Sequence, residues 1–234
     1  MGVGVGPGDP ELLTFKAVKA LQKADILCFF SKSGNRSYAR DIVAENLPSA
    51  LIEVPFEYPL TIEINRHHPN YRRIISNFYD IKAEIIAKHL MAGRNVVVLS
   101  EGDPLFFGSY MHLHIRLAHR FKTKVIPGIT GMSGAWSDVM IPICQGDDIL
   151  SILPGTLDEI TMKKKLFNCE AAVIMKIGNN LYNIRKSLKA TGLINKAIYV
   201  ENATMDKAIS KKLIDKIDDI APYFSIILVP GCKI

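Results

Sequence analysis

Three loops of the chain gather residue types that could hold and react a small ligand. Ser100-Glu-Gly-Asp-Pro-Leu-Phe-Phe-Gly108 puts two carboxylates, a close-approach glycine and two phenylalanines into nine residues after an apolar run. That mixture suits a ligand with a flat ring and a charged end. Gly4-Val-Gly-Pro-Gly-Asp9 carries glycines that let a ligand come close to the backbone. Pro127-Gly-Ile-Thr-Gly-Met-Ser-Gly134 offers hydroxyls and backbone amides at the start of a helix, where a carboxylate or phosphate is welcome. Asp147 and Asp148 read either as paired acids or as a solvated turn.

Several chemistries are disfavoured by spacing. The first loop lacks the G-x-G-x-x-G spacing of a dinucleotide fingerprint, and the segment after the next strand is Ser31-Lys-Ser-Gly34, with no acid to hold a ribose. His112 and His114 are two apart and would point to different sides of a helix, while His67, His68, His89 and His119 have no Cys or His at ligand spacing, so no metal site is expected. Ser133 sits in Gly-Met-Ser-Gly, which is not the nucleophile-elbow pattern. Gly8-Asp9-Pro10 and Gly102-Asp103-Pro104 each follow a strand, and ordinary capping explains both: the carboxylate accepts orphan amides and proline has none to donate.

The elements that would position these loops alternate along the whole chain, so the expected fold class is α/β. Apolar runs predict strands at Val3–Val5, Ile26–Phe30, Leu51–Val54, Val96–Leu99, Lys124–Ile126, Ile149–Leu153, Ala172–Ile177, Ile198–Glu201 and Ser225–Val229. Helical spacing predicts helices at Pro10–Ala24, at Tyr71–Ala92 through Ile74, Ile75, Phe78, Ile81, Ile85 and Leu90, and near Thr130–Val139, Leu157–Phe167, Leu181–Thr191 and Asp206–Ile217. In open α/β sheets ligands bind beyond the carboxyl ends of the strands, which is where the three loops leave. A joint near Phe121–Lys124 would divide the chain into two α/β domains, 1–122 and 123–234.

Composition narrows the class. The 234 residues are 48% hydrophobic and 22% charged, enough to bury a core and too apolar for a disordered chain. No uncharged apolar run approaches the roughly 20 residues of a membrane helix, so no membrane partner is expected. The net charge is +6, with 15 basic and 12 acidic residues up to residue 123 and 14 and 11 after it. So even a division gives no basic tail and does not indicate nucleic acid. Four scattered cysteines and the absence of a charged, apolar leader at Met1-Gly-Val-Gly fit a reducing, cytoplasmic setting.

Gly4-Val-Gly-Pro-Gly-Asp-Pro-Glu-Leu-Leu-Thr14, Glu101-Gly-Asp-Pro104, Pro127-Gly-Ile-Thr130 and Val173-Ile-Met-Lys176 stand in the order and spacing of the tetrapyrrole methylases, which the chain resembles over nearly its whole length. The pattern differs most at Ser31–Pro48 and Ile62–Tyr79. The resemblance implies two α/β domains with S-adenosylmethionine in a cleft between them, and a homodimer. It assigns to that cofactor Pro7, Gly102, Asp103, Phe106 or Phe107, Thr130, Gly131, Met132, Ser133, Met175, Lys176 and Ala203. The implied substrate is an anionic tetrapyrrole, at which Lys32, Arg36, Arg66, Arg72 and Arg73 would aim, since guanidinium binds carboxylate bidentately. Methyl transfer from a sulfonium is an in-line displacement that asks mainly for positioning. A base is needed only for the proton lost from the methylated carbon, and Asp103 is the candidate, with helix capping as its alternative role. Relatives of this architecture that methylate ribosomal RNA or a protein histidine supply a second reading. A non-catalytic anion- or nucleotide-binding module supplies a third.

Overall fold

A computed structural model describes residues 1–59 and 69–231. They form two compact units, Met1–Thr130 and Gly131–Ile234. In the first, β1 (Gly2–Gly4), β2 (Ile26–Lys32), β3 (Ile52–Tyr58), β4 (Val96–Ser100) and β5 (Val125–Ile126) make a sheet in the order β3-β2-β4-β1-β5, parallel throughout. Successive strand residues face opposite ways. Val3, Leu27, Val97 and Leu99 therefore pack toward α1 (Phe15–Leu21) and α2 (Tyr38–Ile42) through Ala17, Leu21, Ala39 and Ile42. Ile26, Cys28, Val96 and Val98 pack toward α3 (Pro69–Met91) and α4 (Tyr110–Leu117) through Phe78, Ala83, Ile86 and Leu113. Both faces are covered, which is why these strands read as unbroken apolar runs. The chain leaves β1 toward one face and β4 toward the other, so the two adjacent strands part at a topological switch point, where α/β sheets take their ligands.

The second unit has the order β6-β7-β10-β8-β9. Here β6 (Leu150–Pro154) and β7 (Ala171–Met175) are parallel, and β10 (Ser225–Val229) runs antiparallel to both β7 and β8 (Ile198–Glu201). The carboxyl ends of β6, β7 and β8 thus share one edge. The last strand, β9 (Ile209–Lys212), is antiparallel to β8. Helix α5 (Gly131–Asp138) covers one face through Ala135, against Val173, Val200 and Leu228. On the other, α6 (Glu159–Phe167) and α7 (Leu181–Ala190) bury Met162, Leu166, Leu181, Ile184 and Leu188 against Ile174, Tyr199 and Ile227.

Several expectations change. The helix over Pro10–Ala24 is two pieces: Asp9 accepts the Glu11 amide at 2.8 Å and closes a 3-10 turn at Pro10–Leu12, Leu13 turns extended, and the Thr14 hydroxyl starts α1 afresh by accepting the Ala17 amide at 3.1 Å. The helix over Asp206–Ile217 is β9 followed by a 3-10 turn at Leu213–Asp215. Its three-to-four spacing misled: of the apolar positions only Leu213 is buried, and Ile217 is 99% exposed. The strand at Lys124–Ile126 belongs to the first sheet, Gly2 pairing with Val125, so the first unit continues through Thr130 instead of ending near residue 122. Helices α2 and α4 lie outside the expected elements, and Ile81 of α3 is exposed. Among the described residues no helix is long and apolar enough to cross a membrane.

Candidate active site

The carboxyl ends of β1, β4 and β5 meet as backbone against backbone. The Val5 amide donates to Ser100 O at 3.0 Å, and the Gly102 amide donates to Gly6 O at 2.8 Å. A Cβ on Gly128 would stand 2.1 Å from the Gly102 carbonyl oxygen, and one on Gly4 would stand 2.6 Å from it. Three glycines from three loops are thus packed at a distance no side chain permits. Asp103 locks them: Oδ1 accepts the Leu105 amide at 2.9 Å, and Oδ2 accepts the Gly128 amide at 3.2 Å, tying the β4 loop to the β5 loop. Pro7 is buried beside this layer. The Phe106 and Phe107 rings lie 4.8 Å apart, and Phe107 holds the left-handed backbone (φ 55°) while staying exposed. Such strain costs of order 1–3 kcal/mol and persists where function or packing demands it.

Glu101 extends the row Val97–Leu99 on the α1–α2 face. Its carboxylate accepts the Ala39 amide of α2, and burial raises its pKa above the ordinary glutamate value despite that bond. Part of the residue still reaches the surface.

In the second unit, Met132, Met175 and Ala203 converge on the α5 side of the sheet, packed against the same core as Ala135 and Val200. Gly131, Met132 and Ser133 form the first turn of α5, and Lys176 is exposed directly after β7. The loops beyond β7 and β8 hold left-handed backbone at Lys176 (φ 56°), Asn202 (φ 49°) and Thr204 (φ 66°). Two contacts over-determine them: the Thr204 amide donates to Asp138 Oδ2 at 2.6 Å, and the Gly155 amide to Met175 O at 2.6 Å. Met175, Lys176 and Ala203 therefore stand at strand carboxyl ends, while Gly131, Met132 and Ser133 stand at the start of α5. Of the residues that hold these loops, Gly4 and Gly128 stand in segments whose glycines the sequence displays, but their packing on Gly102 and the Asp138 contact to Thr204 have no signal in the sequence.

The basic residues are dispersed. Lys32 ends β2, Arg36 precedes the Ser37 cap of α2, and Arg72 and Arg73 lie in the first turns of α3, all exposed. Among the described residues none of the four forms a salt bridge, unlike Arg40, which is paired with Glu53 at 2.7 Å. Arg66 lies outside the described residues. Asp148 folds into its own turn, its Oδ2 accepting the Gln145 amide at 3.0 Å, as the solvated-turn reading expects.

The family model for tetrapyrrole (corrin/porphyrin) methylases matches residues 1–218. The chain belongs to this family. It is 55% identical over 233 residues to the precorrin-2 C(20)-methyltransferase of a Sinorhizobium species, covering 100% of this chain and 95% of that one. To the cobalt-precorrin-2 C(20)-methyltransferase of Salmonella typhimurium it is 23% identical over 230 residues, covering 97% and 94%. Among solved structures, a uroporphyrin-III C-methyltransferase from Thermus thermophilus in complex with S-adenosylhomocysteine aligns with a TM-score of 0.67 at 21% identity, over 98% of this chain and 90% of that one. Tetrapyrrole methylases take their methyl group from S-adenosylmethionine. The glycine layer, which leaves backbone and the two phenylalanines as its surface, fits such a donor, as does the apolar Met132–Met175–Ala203 patch.

Proposed function

We propose that the protein methylates carbon 20 of metal-free precorrin-2 in cobalamin biosynthesis, with S-adenosylmethionine as donor. One observation carries this: identity of 55% across the whole chain to a relative named for that reaction, against 27% and 23% to two relatives named for the cobalt form. In the first unit Pro7, Gly102, Asp103, Phe106 or Phe107 and Thr130 contact the cofactor. In the second, Gly131, Met132, Ser133, Met175, Lys176 and Ala203 do so. Lys32, Arg36, Arg66, Arg72 and Arg73 attract the substrate carboxylates. The protein acts in the cytoplasm as a homodimer, without nucleic acid; the family resemblance supports the dimer, the scattered cysteines support the cytoplasm, and the even charge division speaks against nucleic acid.

The donor supplies a methyl group on a positively charged sulfur, whose bond breaks as the new carbon–carbon bond forms. The chain's task is to hold the reactants in line and keep water out, and effective molarities for well-oriented groups show how much of a barrier such positioning removes. Asp103 serves here by fixing two loops through backbone amides, and the Met132–Met175–Ala203 patch offers a dry wall.

Incubation with methyl-labelled S-adenosylmethionine and either precorrin-2, its cobalt-containing counterpart or ribosomal RNA tests the reading. Label is expected in precorrin-2 at carbon 20. Faster labelling of the cobalt form, or of RNA, would overturn it.

A further inference from the structure

The methylated carbon must lose a proton, and among the described residues the first unit holds a buried carboxylate that no cation pairs. Asp103 is engaged, with each of its oxygens accepting a backbone amide. Glu101 is different. The strand alternation that sends Val97 and Leu99 into the α1–α2 core sends Glu101 the same way, so an acid caps an apolar row. Its carboxylate accepts its own amide and the Ala39 amide in the first turn of α2, and among the described residues no Lys, Arg or His forms a salt bridge with it. No charged side chain contributes to its altered acidity either, whose cause is desolvation opposed by backbone amides. A desolvated, unpaired carboxylate costs stability, and folds retain one mainly where it works. Its location adds to this: one residue before Gly102, at the switch point, beside the helix that Arg36 leads into.

Resting on the proposed methylation of carbon 20, we propose that Glu101 is the proton acceptor of the reaction. The methyl–sulfur bond breaks with its electron pair left on sulfur, and the new bond joins methyl to carbon 20. The carbon 20–hydrogen bond then breaks, its electron pair returns to the ring, and the proton passes to the Glu101 carboxylate, making a neutral carboxyl. The partly exposed edge of the residue lets that proton leave to solvent. A raised pKa suits the role, because a stronger base takes the proton more readily.

Glu101→Gln keeps an oxygen for the Ala39 amide and removes the charge. Turnover is expected to fall about a hundredfold, with calorimetric affinity for S-adenosylmethionine within about twofold of the parent. With precorrin-2 deuterated at carbon 20, the variant should show a primary isotope effect that the parent lacks, because proton removal has become the slow step. Without any ligand, the variant should melt at or above the parent temperature at pH 7, since the amide keeps an acceptor for Ala39 and removes a desolvated acid. Asp103→Asn should weaken cofactor binding and show no isotope effect. Unchanged turnover in Glu101→Gln, a lower melting temperature with turnover lost, or slow turnover without an isotope effect would each overturn the assignment. If the parent protein leaves precorrin-2 unmethylated, the proposed function falls and this inference with it; a parent that turns over beside an equally fast variant removes Glu101 alone.

Discussion

At the scale of single residues, the site is made by what is missing. Gly128 has no left-handed backbone, so its requirement is steric: a methyl group there would sit 2.1 Å from one backbone oxygen and 2.9 Å from the Gly4 backbone, and neither neighbour is a side chain that could swing away. Gly128→Ala must therefore part the β1, β4 and β5 loops. Calorimetry should show S-adenosylmethionine affinity lowered at least about tenfold, the equivalent of roughly 1.4 kcal/mol. Gly192→Ala is the contrast: its φ is 73° with open space around it, so strain of about 1 kcal/mol should lower the melting temperature while binding stays intact. Equal losses of binding in the two variants would show that the glycine layer has no special part. The sequence displayed these glycines in their loops, yet only three-dimensional convergence separates Gly128, which touches two other loops, from Gly192, which ends a helix.

At the scale of elements, the region after β8 shows why periodicity alone misleads. Residues 206–217 carry helical spacing, but Ile209–Lys212 satisfy their backbone against Ile198–Glu201, and hydrogen bonding to a neighbour outweighs a weak pattern. What fixes the following turn is a buried cation that no pattern announces. Lys216, 6% exposed, lies 4.6 Å from the Tyr199 ring centroid, 2.9 Å from Asp218 and 3.7 Å from Glu201. Tyr199 in turn donates its hydroxyl to Glu201 at 2.6 Å. Lys216→Met leaves Glu201 half-buried without its cation and should cost about 3 kcal/mol in denaturant unfolding. Adding Glu201→Gln should recover a large part of that loss, because the unpaired charge goes with it. A double variant no more stable than the single one would place the cost in packing. By contrast, long elements with matched strand and helix signals, such as β4 and α3, were legible from sequence, since their buried faces and their spacing agree.

At the scale of the whole molecule, family, fold class and cofactor were legible because motifs at strand carboxyl ends keep their spacing along the chain. The boundary was not, because β5 follows α4 in sequence yet pairs with β1, the first strand of the chain. Charge is a property of this scale too. The +6 is spread evenly, so attraction for a polycarboxylate must come from where the unpaired cations stand, not from their number. Lys32 ends β2 and Arg36 follows it at the carboxyl end of the sheet, the end that also carries the glycine layer, while Arg72 and Arg73 lie in the first turns of α3. Exposed charges of this kind act over roughly a Debye length, about 8 Å at physiological ionic strength, and each contributes at most about 1 kcal/mol. Replacing Lys32, Arg36, Arg66, Arg72 and Arg73 together by Ala should therefore raise the KM for precorrin-2 about tenfold or more at low salt and flatten its dependence on salt concentration. Affinity for S-adenosylmethionine, whose proposed site contains none of these five residues, should not change between the two proteins. A KM whose salt dependence survives all five changes would mean that the cations only coat the surface, and that the substrate carboxylates are met by groups nearer the strand ends.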